Sequence, residues 1–189
     1  VNYFGKDSIN SYKSIFTRKD KITIRAKIQY KRFMEGILIR NDSITIPSIG
    51  WDSIQANEAW KLDFRNQFCG GTVLIECQIN DSLLTRRFYI RGKNPSKQEI
   101  LNYLSQMGYN EWFLPKMIMH ESKMHQFNPG KNYTPDGTTG VPNWGKPNGY
   151  GLMQLDNFGE KDKKKIYATT DELWNWKHNI DRGVKFIRE

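Results

Sequence analysis

Two runs decide how the chain is read: Met117-Ile118-Met119-His120-Glu121-Ser122, and then Asn148-Gly149-Tyr150-Gly151-Leu152-Met153-Gln154-Leu155-Asp156. At about 100° per residue, Glu121 shares a helix face with Leu114, Met117, Ile118 and His125, while Lys116, His120 and Lys123 form a separate polar stripe. This predicts a carboxyl on the apolar side. Burial there would favour its neutral form, and a neutral carboxylic acid can hand a proton to a leaving-group oxygen. A structural ion pair with a neighbouring His or Lys, or a carboxyl that simply looks out at the edge of the stripe, accounts for the same pattern. The second run alternates bulk with glycine. It suits a tight turn that brings backbone close to a ligand.

Glu121-Ser122 followed by the Gly151-Leu152-Met153-Gln154 run resembles the active-site signature of goose-type lysozymes and of the related soluble lytic transglycosylases. Asn179-Ile180 with Gly183 is similar to a later helix of that family, so the resemblance covers roughly the C-terminal half. It implies an α-rich lysozyme-like domain that cleaves the β-1,4 bond between N-acetylmuramic acid and N-acetylglucosamine in peptidoglycan. It also implies that Glu121 is the acid, and that Asp156 positions or activates water. Gln154 would then stand near the reacting sugar, with Tyr150, Met153, Trp144, Ser122 and Asn179 binding substrate or supporting the site. A core Gln bonded to backbone and an Asp that caps a turn are the plainer readings of Gln154 and Asp156. Family members often carry a further Asp shortly before the Gly-Tyr-Gly segment. Trp144-Gly145-Lys146-Pro147 stands there instead, which leaves Asp136 as the nearest substitute. Two carboxylates at a set separation are the usual requirement for glycoside hydrolysis, and a single acid assisted by the sugar's own acetamido group is the other route. Tyr133, Trp144, Tyr150 and Phe158 flank the motif as candidate stacking platforms, core packing being the plainer role for Phe158.

The rest of the chain constrains this reading. Its 189 residues, 38% of them apolar, suffice for one large domain or two small ones. A formal charge of +9 implies an anionic partner, such as nucleic acid, a membrane surface or the bacterial wall. Arg25, Lys27, Lys31 and Arg32, or Arg86, Arg87 and Arg91, are too scattered to mark a nucleic-acid module. No run is long and apolar enough for membrane insertion, and no secretory leader is evident. Starting at Val1 with a helical pattern still running at Glu189, the chain reads as a portion of a longer or processed protein.

Period-two patterns at Ile22 to Tyr30, Ile37/Ile39, Ile44/Ile46, Trp60/Leu62/Phe64, Val73 to Ile79 and Leu84 to Ile90 predict short strands. Residues 1–20 read as a polar arm or rim. Together they predict a small antiparallel β-sandwich, immunoglobulin-like, over residues 1–92, with a spacer or docking role. The fold class expected is therefore α+β, with the lysozyme-like domain at 96–189 cut short at its C-terminus. Ser96-Lys97-Gln98-Glu99 is a capping box for a helix ending near Gly108, and Pro115 belongs in the first turn of the next one. Thr169 with Glu172 predicts a final helix whose stripe is Leu173, Trp176, Ile180, Val184 and Ile187. Residues 126–148 read as a long functional loop, and Glu160 to Lys165 as a solvated charge run.

Cys69 and Cys77 are expected not to bridge, with Cys77 a small buried hydrophobe of its strand. His120 and His125 are five apart and diverge by about 140°, so they do not form a zinc-protease pair. No metal and no cofactor is expected. The expected setting is a secreted protein, or one delivered to the periplasm or cell wall by a phage particle or secretion machine. It acts there as a monomeric antibacterial effector or lysin toward glycan strands, and an effector would be matched by an immunity protein. A lytic transglycosylase and a non-catalytic wall- or partner-binding module are the alternatives.

Overall fold

The computed structural model describes residues 22–34, 37–46, 50–55, 59–61, 68–130, 138–146, 148–156, 159–161, 164–166 and 168–189. Asp136, Tyr133, Phe158, Leu62, Phe64 and the expected arm at 1–20 lie outside the described residues.

In β1 (Ile22–Met34), Ile22, Ile24, Ala26, Ile28 and Tyr30 are buried, and every intervening residue is more exposed. β1 is the central strand of a five-stranded antiparallel sheet. β2 (Ile37–Ile46) and β3 (Asp52–Ile54) pair with it, and on its other side β4 (Gly71–Ile79) pairs in turn with β5 (Ser82–Ile90). The signals at Ile37/Ile39 and Ile44/Ile46 belong to one strand, β2, and β3 was not foreseen. Asn80, at φ +52°, and Asp81 close β4 onto β5 with the two-residue turn that such dipeptides favour. All strands described between 22 and 90 belong to this one sheet.

The sheet's buried face meets the helical part directly. Ala26, Ile28, Tyr30, Val73 and Ile90 share one apolar cluster with Ile100, Leu114, Ile118, Leu152, Leu173 and Ile180. Trp174 sits at the join. Its ring meets Tyr30 edge-on at 5.5 Å between centroids, lies 5.7 Å from Phe127, and leaves room for no Cβ at Gly70. A polar tie reinforces it. Arg32, 2% exposed, donates to Asp42 at 2.8 Å and to the Ala168 carbonyl, while the Tyr30 hydroxyl donates to Asp42 and accepts from Thr170. A buried guanidinium is tolerated because each of its three nitrogens donates to an oxygen.

α1 (Lys97–Gln106) carries the expected capping box, with Ser96 Oγ accepting from Glu99 N and the Glu99 carboxylate accepting from Ser96 N. α2 (Leu114–Ser122) holds Pro115 in its first turn. The three-stranded sheet β6 (Trp144–Gly145), β7 (Gly149–Tyr150) and β8 (Leu155–Asp156) follows, and then the hairpin β9 (Gly159–Lys161) and β10 (Lys164–Ile166). Of the charge run, Glu160, Lys161, Lys164 and Lys165 are strand residues. Thr169 and Glu172 do form a capping box, but the helix they open, α3 (Thr170–Trp174), is short. The expected single helix breaks at Asn175, whose extended backbone and side chain, accepting from Lys177 N, start α4 (Trp176–Arg188). Leu173, Ile180 and Val184 are buried as the stripe predicts, and Ile187 is exposed. Tyr103 and Tyr109 both donate to Asp181, fastening α4 to α1. Cys69 is buried and Cys77 half-buried. Neither is bridged, and burial pushes the Cys69 thiol up to about 12. The mixed helix and antiparallel-sheet architecture is α+β.

Candidate active site

α2 ends abruptly. Lys123 (φ +52°) and Met124 (φ +62°) occupy the left-handed region in succession, and their N–H groups return to Met119 O and Ile118 O. Such a conformation costs a non-glycine residue about 1 kcal/mol or more, so the surroundings must hold it. Ser122 helps by donating its buried hydroxyl to Ile118 O at 2.9 Å, and His125 N closes onto Ser122 O at 3.0 Å.

Glu121 is the last residue but one of α2, and its position corrects the expectation of a carboxyl on the apolar side. Its side chain is 43% exposed, with the His120 imidazole 3.5 Å from its carboxyl. The buried stripe is Leu114, Ile118 and Ser122, and Glu121 sits about 60° off its centre. The helix stops one residue later, so no further turn covers it.

Downstream, Gly151 (φ +73°) and Gln154 (φ +46°) bound the turn between β7 and β8. Gln154 folds back over the small sheet, with its side-chain NH2 donating to Gly151 O at 2.8 Å. Its Oε1 lies where a Cβ on Gly145 or Gly149 would fall, which explains why both positions are glycine. Asp156 is exposed on β8, opposite Gly149. Tyr150 and Trp144, 2% and 6% exposed, pack into the core, as does Met153. In this conformation the two rings offer no face to a sugar, a correction to their expected stacking role. They are the bulky, inward members of the alternation that set glycine beside them.

Two fully buried amides hold the turn from beneath. Asn179 accepts from Met153 N (2.8 Å) and donates to Tyr150 O (3.1 Å) and Glu172 O (3.2 Å). Gln126 accepts from Leu152 N (3.0 Å) and donates to Leu173 O (2.7 Å). A third residue joins this frame to the exit of α2. Buried Asn143 donates from its side chain to His125 O (3.1 Å) and from its backbone to Gln126 O (2.8 Å), and its carbonyl accepts from Gly151 N (2.9 Å). The end of α2 and the glycine turn are thus one hydrogen-bonded unit.

Sequence reasoning singled out Asn179 and missed Gln126 and Asn143. Both of these satisfy irregular backbone, and no periodicity marks such residues. Among the described residues no group of three or more His, Cys, Asp or Glu side chains could hold a metal. An open depression of about 340 Å³ lies on the α3–α4 face, between Thr169, Asp171, His178, Asp181 and Lys185, and none of Glu121, Gln154 or Asp156 lines it. What the unit offers chemically is a solvent-accessible carboxyl on a stiff mount, joined through backbone to a turn with a second carboxyl at its far strand. Compared with protein-family models, with curated proteins and with solved structures, the chain finds no match.

Proposed function

We propose that the chain is a peptidoglycan-cleaving muramidase, with residues from 96 onward forming its lysozyme-like catalytic part and the preceding sheet an accessory part. The observation that carries this reading is the shared mounting of Glu121 and the Gly151–Gln154 turn through Asn143. A proton donor and the opposite wall of a sugar groove must keep their spacing for acid catalysis, and a hydrogen-bonded frame that ties the end of α2 to the turn supports such spacing.

In the proposed reaction Glu121 gives its proton to the glycosidic oxygen as the bond from the anomeric carbon of N-acetylmuramic acid breaks. Water adds to that carbon, and Asp156 takes up the proton that water releases, so one water is consumed and a reducing end appears. A glycan strand lying over Glu121 would displace the water that now reaches it, so the dry surroundings come with the substrate. The net charge of +9 draws the protein to the anionic wall. The proposed site of action is the wall or periplasm, reached by secretion or delivery.

Incubation of the purified chain with peptidoglycan, followed by mass spectrometry of the soluble products, tests this. Reducing-end muropeptides are expected, and Glu121→Gln should lower their release by about 10² to 10⁴-fold. It should leave the unfolding transition in place, because the side chain is substantially exposed. An active Glu121→Gln chain would refute the assignment. Anhydro products would make the enzyme a lytic transglycosylase using the same acid, and no fragments at all would leave a binding module.

A further inference from the structure

Trp112 is the most exposed large apolar side chain among the described residues, at 78%. It opens the outer face of α2. The turn closed by Leu114 N on Glu111 O carries it into the helix, and Lys116, one turn on, sets its ammonium 5.4 Å from the indole centroid. Met119, His120 and Lys123 continue the row at helical spacing, and all are exposed. This row lies opposite the buried stripe of Leu114, Ile118 and Ser122. It is one side chain wide, bounded by half-buried Phe113 and Met117 on one flank and half-buried Pro115 on the other.

The row carries two lysines and no carboxylate. Glu111, just before it, is held by Arg188 at 2.6 Å. Glu121 lies about 100° round the helix from His120, whose imidazole is 3.5 Å from its carboxyl, so the row ends beside the proposed acid. A lipid surface is a poor occupant, because interfacial helices sink a continuous apolar face and here lysine and histidine interrupt Trp112 and Met119. A second copy would bring two basic rows together, between chains that each carry +9. A single extended polymer with anionic side groups fits both the width and the charge. Peptidoglycan is such a polymer. Its sugar rings present C–H faces to the negative face of an indole, and its stem peptides carry carboxylates.

We propose that the outer face of α2 is a second contact for the peptidoglycan strand, outside the cleavage site, with a sugar ring stacked on Trp112 and stem-peptide carboxylates on Lys116 and Lys123. From Trp112 to Glu121 the helix axis runs about 14 Å, so the strand is held along α2 as it reaches the acid. The inference rests on the muramidase reading for its ligand and deepens it.

The test is co-sedimentation of the whole chain with insoluble peptidoglycan, in a Glu121→Gln background so that the polymer persists. Trp112→Ala is expected to weaken binding roughly tenfold, and Trp112→Tyr to keep most of it. Neither should move the unfolding transition, since the side chain is exposed. Lys116→Gln combined with Lys123→Gln should weaken binding and flatten its salt dependence. Chitin, the uncharged β-1,4 polymer of N-acetylglucosamine, should bind more weakly than peptidoglycan. Unchanged binding by Trp112→Ala, or equal binding of chitin and peptidoglycan, would overturn the proposal. So would Trp112-dependent binding to anionic phosphatidylglycerol vesicles with none to peptidoglycan. Fragment release by the native chain is scored apart. Trp112-dependent binding without fragments keeps this contact and ends the cleavage reading, and fragments with Trp112-independent binding do the reverse.

Discussion

The side-chain oxygen of Asn179 accepts the backbone N–H of Met153 at 2.8 Å, so α4 grips the glycine turn one residue before Gln154. The same amide's NH2 reaches Tyr150 O and Glu172 O, so one side chain satisfies three backbone groups from two segments. Buried backbone groups left without partners cost roughly 1–3 kcal/mol each. Asn179→Leu is therefore expected to destabilise the fold by about 3 kcal/mol or more, measured as a lower midpoint in urea. Asn179→Asp, which keeps the acceptor and loses both donors, should be less stable than the native chain as well.

Gly183 lies against the same turn from the helix side. A Cβ there would come within 2.6–2.7 Å of Met153 Cε, Cβ and Cγ. Glycine to alanine inside a helix ordinarily gains about 1 kcal/mol. Here the contact reverses the sign, because Met153 Cβ is tied to the backbone that Asn179 holds. Gly183→Ala is expected to lose about 1–3 kcal/mol, read in the same denaturation experiment.

Trp174 joins the sheet to the helices through Tyr30, Phe127 and the close approach at Gly70. With one apolar cluster running through both halves, unfolding followed by tryptophan fluorescence and by far-ultraviolet circular dichroism should coincide. Trp174→Ala should cost about 3–5 kcal/mol and separate the two signals, since it removes the shared ring.

Tyr30 sets an alkaline limit on stability. Burial pushes its hydroxyl up to about 12, against partial relief from the Thr170 hydrogen bond and the Arg32 charge. Below pH 10 both folded and unfolded states keep the proton. Between about pH 10 and 12 the unfolded chain loses it while the folded chain does not, so stability falls with rising pH, by about 2–3 kcal/mol from this group. Tyr103 and Tyr109 shift in the same direction, through burial and the adjacent Asp181 carboxylate, and steepen the fall. Urea midpoints measured from pH 9 to 12 should decline, and Tyr30→Phe should make the decline shallower.

On the proposed chemistry, Asp156→Asn should reduce muropeptide release about 10² to 10⁴-fold if this carboxylate takes the proton from water. Its exposed position on β8 predicts an unaltered unfolding midpoint. Native turnover in this variant would pass the role to Asp136 or to the sugar's acetamido group.

What the order of residues determined by itself was local. Alternation at Ile22 to Tyr30 specified a strand with one buried face, and Ser96 and Glu99 specified a helix start, because each depends only on neighbours within a few positions. The glycines around Gln154 were visible too, though not what they make room for. Tertiary structure alone decided where Glu121 lies relative to solvent, since that turns on α2 stopping at Ser122 and on what packs against the stripe beside it. It alone brought Gln126, Asn143 and Asn179 under one turn from three distant segments. It also decided that helical side chains, Trp174 foremost, cover the buried face of the sheet. A half-buried strand announces that one side will be covered, but its alternation is the same whether a sheet or a helix does the covering.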